Sequence, residues 1–160
     1  MTLQRRHLIG GLAALAAGPS WASPAAAGDV VRWPEVTLLD GSHWAPAPER
    51  AQVVVFWSLS CPFCKRHNAH IDKLHRAAAA GNGPGVLTVS RDRDALAVRR
   101  YLANNHYGFP VSLDADMLAA ALSTRRIIPL TMLIDRQGRL KQAVPGEMFE
   151  EDVMDLLKLS

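Results

Sequence analysis

The chain's only two cysteines, Cys61 and Cys64, stand at C-x-x-C spacing. Thiol–disulfide exchange requires a thiolate at working pH, a second thiol to resolve the mixed disulfide, and access for a partner. The surrounding residues suit that chemistry. An apolar run, Val53 to Trp57, ends in the polar turn Ser58-Leu59-Ser60, and amphipathic sequence follows from Pro62. This order predicts a dithiol at the start of a helix, just past the end of a buried strand. Cys61 then meets the free N–H groups and the positive end of the helix dipole. Pro62 suits the first helical position, where its missing N–H is not needed. Cys61 is expected to be the attacking nucleophile. Cys64, one turn along and more buried, is expected to resolve.

A magnitude shows what the helix must do. Lowering a thiol pKa from about 8.5 to about 7 raises its thiolate fraction at pH 7 from about 3% to about 50%. That takes only about 2 kcal/mol, and a helix terminus supplies roughly half. Lys65, Arg66 and His67 are placed to add positive charge, with Arg66 assigned mainly to the solvated outer face. A purely structural disulfide is the weaker explanation, because so small a loop removes little entropy from the unfolded chain.

His67 and His70 extend the pattern to C-x-x-C-x-x-H-x-x-H, which raises zinc or copper as an alternative. Steps of three drift by about 60° around a helix, so Cys61 and His70 would point in opposite directions. No metal site is assigned and no cofactor is expected beyond the Cys61–Cys64 disulfide. A copper-binding module using Cys61, Cys64 and His67 stands as the alternative from a different class. C-type haem attachment needs His directly after Cys64, and Lys65 is there.

The elements that must position the cysteines can be read in chain order. Val36 to Leu39 has strand composition, Asp40-Gly41 signals a turn, and Ser42-His43-Trp44 returns as a hairpin. Gln52 to Trp57 reads as a strand buried on both faces, as in a parallel sheet covered by helices. Pro62 to about Ala80 reads as a helix with Ile71, Leu74 and Ala78 inward and Lys65, Arg66, Asp72, Lys73 and Arg76 toward water. Gly81 to Gly85 stops it. Val86 to Val89 is a second strand. Asp94 to Asn105 is a second helix, with Leu96, Val98, Tyr101 and Leu102 apolar and Asp92 or Asp94 as its cap. Phe109 to Leu113 is a short edge strand marked by Pro110, and Asp116 to Ser123 a short helix. Leu130 to Ile134 and Arg139 to Val144 form an antiparallel pair around Asp135-Arg136-Gln137-Gly138. A last helix runs from about Phe149 to Leu159, with Val153, Leu156 and Leu157 inward. Strands alternating with helices predict an α/β fold, a central mixed sheet flanked by helices, preceded by a hairpin and carrying a helix-strand insertion.

Residues 1 to about 27 are set apart from that domain, which covers 28–160. Arg5-Arg6-His7 is a basic start, Leu8 to Ala17 a short apolar stretch, and Ser20-Trp21-Ala22 and Ala25-Ala26-Ala27 are small-x-small cleavage candidates. An apolar core of about ten residues is too short to span a bilayer. This is the pattern of an export signal, of twin-arginine or Sec type, and it points to the periplasm. Losing Arg5 and Arg6 lowers the formal net charge from +3 to +1, so no patch calls for nucleic acid. His43, His75 and His106 read as surface or loop residues. Trp33 and Trp44 read as packing, and Trp57 as core beneath the cysteines. A monomer is expected.

Val54 to Cys64 resembles the active-site region of the thioredoxin superfamily, and is most similar to its exported TlpA/ResA-like thiol-disulfide oxidoreductases. Val86 to Asp92 is similar to the strand after that family's first helix, and Phe109 to Asp114 to the segment closing its insertion. Ile128 to Gly138 is similar to the strand that opens with the family's cis-proline. The likeness runs from about Val36 to the C-terminus. It implies a thioredoxin-like fold and exchange with protein thiol or disulfide substrates, supported by a membrane or periplasmic electron donor. It also implies a cis Ile128-Pro129 bond beside the disulfide, leaving the Ile128 backbone to pair with an extended partner. Ile128, Pro129, Pro62 and Phe63 are the substrate-binding residues on this reading. The chain departs from its relatives at Val55, where many carry a buried acid, and at Ser60, where many have Trp. Pro62-Phe63 and Leu130-Thr131 are further departures, and a Glu found near the site in some relatives has no obvious counterpart. The reductase direction is favoured, with a disulfide-donating oxidase as the alternative.

Overall fold

A computed structural model describes residues 24–123 and 125–159. The expected export signal therefore lies outside the described residues as far as residue 23. Residues 24–27 rest on the domain: the Ala25 N–H donates to Ala121 O (3.2 Å), and the Ala26 N–H to Asp29 Oδ2 (2.9 Å).

All six residues of the strand Gln52–Trp57 (β3) are buried. Successive side chains of a strand point to opposite faces, and both faces here are covered. Val53, Val55 and Trp57 pack with Ile71 and Leu74 of the helix Pro62–Ala80 (α1). Val54 and Phe56 pack with Leu118 and Leu122 of the helix Ala115–Leu122 (α3). β3 runs parallel to Gly85–Ser90 (β4) and antiparallel to Leu130–Ile134 (β6). Val111–Ser112 (β5) is parallel to β4, and Leu140–Pro145 (β7) is antiparallel to β6. The five strands lie in the order β5-β4-β3-β6-β7, the expected mixed sheet. β5 is at the edge, where the carbonyl of Pro110 accepts from both the N–H and the hydroxyl of Thr88.

The preface hairpin forms its own small sheet, Val36–Thr37 (β1) against His43–Trp44 (β2). Leu38 bridges to Ser112, and the rings of Trp33 and Trp44 stand 5.0 Å apart against the α3-side core. The helix Ala95–Asn105 (α2) is capped by Asp94, whose carboxylate accepts from the Ala97 N–H. Its buried residue is Val98, with Tyr101 and Leu102 packed beside it. Leu96, expected on that face, is 61% exposed; two positions before Val98 is about 200° around the helix. The final helix Glu150–Asp155 (α4) is shorter than expected and passes into a 3-10 turn, Leu156–Lys158.

Asp72 corrects the reading of α1. It is buried rather than solvated, and its carboxylate accepts from the Gly108 N–H (2.7 Å) and from Arg76 Nε (2.6 Å). It therefore fastens α1 to the loop that follows α2. Asp72→Ala removes both charge-assisted bonds, so unfolding free energy should fall by about 1–3 kcal/mol. Urea titration of the oxidised protein measures this, and an unchanged midpoint would contradict the fastening role.

Candidate active site

β3 ends at Trp57, and the chain needs only four more residues to reach the first residue of α1 at Pro62. Within that turn Asp92 acts as the anchor. Its carboxylate accepts from the Leu59 N–H (2.8 Å) and from the hydroxyls of Ser58 (3.2 Å) and Ser90 (2.8 Å). The Arg91 N–H adds a bond to Trp57 O (2.9 Å). Asp92 thus holds the turn before the cysteines, and capping α2 falls to Asp94 alone.

Cys61 is the N-cap of α1, with extended backbone (φ −91°, ψ 111°), and Pro62 follows at the first helical position. The two cysteines are disulfide-bonded, with Cα atoms 5.2 Å apart. Cys61 Sγ accepts from the Cys64 N–H at 3.1 Å, one of the donors that a helix start leaves free. Cys61 is 9% exposed and Cys64 is 0% exposed, so an incoming group meets Cys61 first.

The Ile128-Pro129 bond is cis, as the resemblance implied, and it immediately precedes β6. Ile128 O lies 3.9 Å from Cys61 Sγ. The neighbouring carbonyl, Pro129 O, accepts from the Gly146 N–H (2.8 Å). Phe63 stands 55% exposed beside the disulfide, with the Arg66 guanidinium 5.1 Å from its ring centre. Ile127, which sequence reasoning did not single out, is 59% exposed just before Ile128.

His67 overturns the expectation that it adds positive charge. It is fully buried, with Nε2 2.9 Å from Thr131 Oγ1 and Nδ1 accepting from the Met148 N–H (3.3 Å). A ring whose Nδ1 accepts must carry its proton on Nε2, which then donates to Thr131. Burial, then the nearby His70, push its pKa down to about 4, against a smaller pull from Glu147. The ring is neutral at ordinary pH and ties α1 to β6 and to the loop before α4. Its position three residues past Cys64, on the same face as Ile71 and Leu74, was the available signal. Thr131 lies opposite Val55 in the β3–β6 register. The wall beneath the disulfide is therefore Val55, Thr131 and a neutral imidazole, with no carboxylate in the place of Val55. Arg66 is on the outer face as read, where it forks onto Glu147 (2.6–3.1 Å). That bond holds the Glu147 pKa below the usual carboxylate range.

With both His67 nitrogens engaged, the extended C-x-x-C-x-x-H-x-x-H pattern does not converge on one point. Among the described residues no three His, Cys, Asp or Glu side chains are grouped to hold an ion.

Residues 28–158 match the Redoxin family. The chain belongs to that family. The thiol-disulfide oxidoreductase ResA of Halalkalibacterium halodurans is 27% identical over 104 residues, covering 65% of this chain and 58% of that protein. ResA of Bacillus subtilis is 25% identical over the same length and shares. The chain thus spans little more than half the length of these two relatives. Among solved structures, StoA from Bacillus subtilis superposes with a TM-score of 0.66 at 20% identity, covering 76% of this chain and 93% of that one. A thioredoxin-family thiol:disulfide interchange protein from Chlorobium tepidum gives 0.70 at 19%, covering 86% and 97%. The fold is thioredoxin-like, and the resemblance to TlpA/ResA-like members of the superfamily holds.

The buried imidazole has a consequence for stability. A free histidine titrates near 6.5, so an unfolded chain takes up a proton on the way down to pH 4 that folded His67 refuses. Its contribution is fully present above about pH 6.5 and is lost as pH falls toward 4. Between pH 7 and pH 5 the loss should be about 2 kcal/mol. His67→Gln should flatten that part of the pH dependence, read from urea unfolding at the two pH values. Equal slopes in both proteins would show that the ring titrates normally in the fold.

Proposed function

We propose that this chain is an exported thiol-disulfide oxidoreductase that exchanges the Cys61–Cys64 disulfide with cysteines of protein substrates. The observation that carries the reading is the asymmetric dithiol itself. Cys61, the more exposed of the two, caps a helix, a fully buried Cys64 sits one turn below it, and the Ile128 carbonyl before the cis-proline faces the outer sulfur. The names of the ResA relatives support the activity, and the export pattern at residues 1 to about 27 supports a periplasmic location. A solved secreted thiol-disulfide isomerase from Corynebacterium glutamicum is among the similar folds.

In the reductive direction the Cys61 thiolate attacks one sulfur of a substrate disulfide, forming a mixed disulfide and expelling the other substrate sulfur as thiolate. Cys64 then attacks Cys61 Sγ, closing the internal disulfide and releasing the first substrate sulfur. Two electrons pass from the dithiol to the substrate, and a membrane or periplasmic donor must restore them. The Ile128 backbone, Pro129, Pro62 and Phe63 would hold the substrate segment, with the protein acting as a monomer. The electrostatics support the reductase direction. A strong oxidant stabilises its reduced thiolate heavily, whereas here His67 is neutral and the Arg66 charge is matched by Glu147. The helix terminus and the Cys64 N–H are the groups directly at Cys61.

Cys64→Ser should accumulate a dithiothreitol-sensitive adduct with a disulfide-bearing protein, and Cys61→Ser should form none. Equilibration with glutathione buffers should place the potential near about −270 mV, and a value near about −120 mV would assign a disulfide donor instead. A reduced protein that binds copper stoichiometrically and turns over no disulfide would replace the whole reading with metal binding.

A further inference from the structure

A cleft of about 690 Å³ opens along α3, between the loop after β4 and the segment that leads to the cis-proline, and four of its lining residues are Arg91, Arg93, Arg125 and Arg126. A single carboxylate, Asp116, lines it with them. Among the described residues none of the four arginines has a carboxylate oxygen within 4 Å. The nearest acids in sequence are committed elsewhere, Asp92 to the turn before Cys61 and Asp94 to the cap of α2. The segment without its expected leader carries a formal charge of only +1, so this one wall concentrates far more positive charge than the protein as a whole.

The arrangement is built rather than scattered. Arg91 donates from Nη1 to Arg126 O (2.6 Å) and from Nη2 to Arg125 O (3.3 Å), and its guanidinium lies 6.0 Å from the Phe56 ring centre. It therefore fixes the backbone that runs through Ile127 into Ile128 and Pro129. Partial burial, and after it the neighbouring Arg126, hold the Arg91 pKa below its usual value, with Asp116 opposing. Guanidinium groups crowded in this way favour a carboxylate, which they bind in a planar fork.

Position ties the cleft to the dithiol. Ile128 O is 3.9 Å from Cys61 Sγ, and Arg126 is two residues upstream, at most about 7 Å along an extended chain. A polypeptide lying along Ile128 with its cysteine at Cys61 would carry its flank over the arginines within about two to four residues. Exposed Phe63 and Ile127 border the same approach and suit an apolar residue next to that cysteine.

We propose that the arginine cleft selects substrates, binding an acidic segment of the substrate polypeptide on one side of its reactive cysteine. This rests on the oxidoreductase reading above and names the substrate class of that site. No chemistry is added, since the carboxylates are held and not transformed.

The test uses the full-length protein and three synthetic peptides with the same internal disulfide and Asp-rich, Ser-rich or Lys-rich flanks. At low salt the kcat/KM for the Asp-rich peptide should exceed that for the Lys-rich one by about tenfold. The ratio should shrink toward unity by about 0.5 M NaCl, where screening is strong. The Arg93→Glu/Arg126→Glu variant should invert the preference, and the salt series on the unaltered protein supplies an independent reading if that variant fails to fold. Equal turnover of all three peptides at low salt would overturn the cleft's role while leaving the oxidoreductase reading in place. Turnover of none of them, with thioredoxin active in the same assay, would overturn both.

Discussion

β3 can show neither of its faces to water, because Val53, Val55 and Trp57 fill one side and Val54 and Phe56 the other. Burying the strand between two helical layers leaves its carboxyl end as the place where the chain must emerge. α1 starts after four intervening residues, so the cysteines appear where the sheet stops and the helix dipole begins. The parallel β4 ends alongside and supplies Asp92 to hold the turn. The antiparallel β6 begins alongside, and the Ile128 carbonyl just before it faces Cys61. Three strand ends thus converge on one sulfur because one strand is central to the sheet.

The electrical setting of that sulfur follows from what α1 buries. A helix start and one N–H stabilise negative charge on Cys61. The inward residue one turn past Cys64 is His67, and burial makes it a neutral tie rather than a cation. Its bonds to Thr131 and Met148 join the cysteine helix to the cis-proline strand and to the loop before α4. Relative motion of those parts would break two hydrogen bonds inside the core, so the spacing between Cys61 and Ile128 is held by polar contacts as well as by packing. The cations that do surround the site lie outward: Arg66 is matched by Glu147, and the arginines near Ile128 are unmatched among the described residues. The charges of this site thus lie outside it, and the groups packed beneath the sulfur are neutral.

Much of the fold could be read from pattern, since the helix Pro62–Ala80 and the strands Gln52–Trp57 and Leu130–Ile134 begin and end where composition placed them. Periodicity works there because each element is long or uniformly apolar. It failed at single polar residues. Asp72 was placed outside but is buried, because one hydrogen-bonded partner from a distant loop decides whether a carboxylate is buried. Asp92 and Asp94 looked alike as caps, yet one serves α2 and the other a turn 33 residues upstream.

The sequence by itself determined the dithiol, the strand that delivers it and the helix that receives it, because those depend on neighbours within a few positions. It also carried, by resemblance, the cis bond between Ile128 and Pro129. Only the tertiary structure decided that His67 is neutral, that Asp92 secures the turn before Cys61, and that four arginines from separate segments share one cleft. Each of these depends on residues far apart in the chain meeting in the folded structure. Solvation and charge are settled by such meetings, and no local pattern of residue types encodes them.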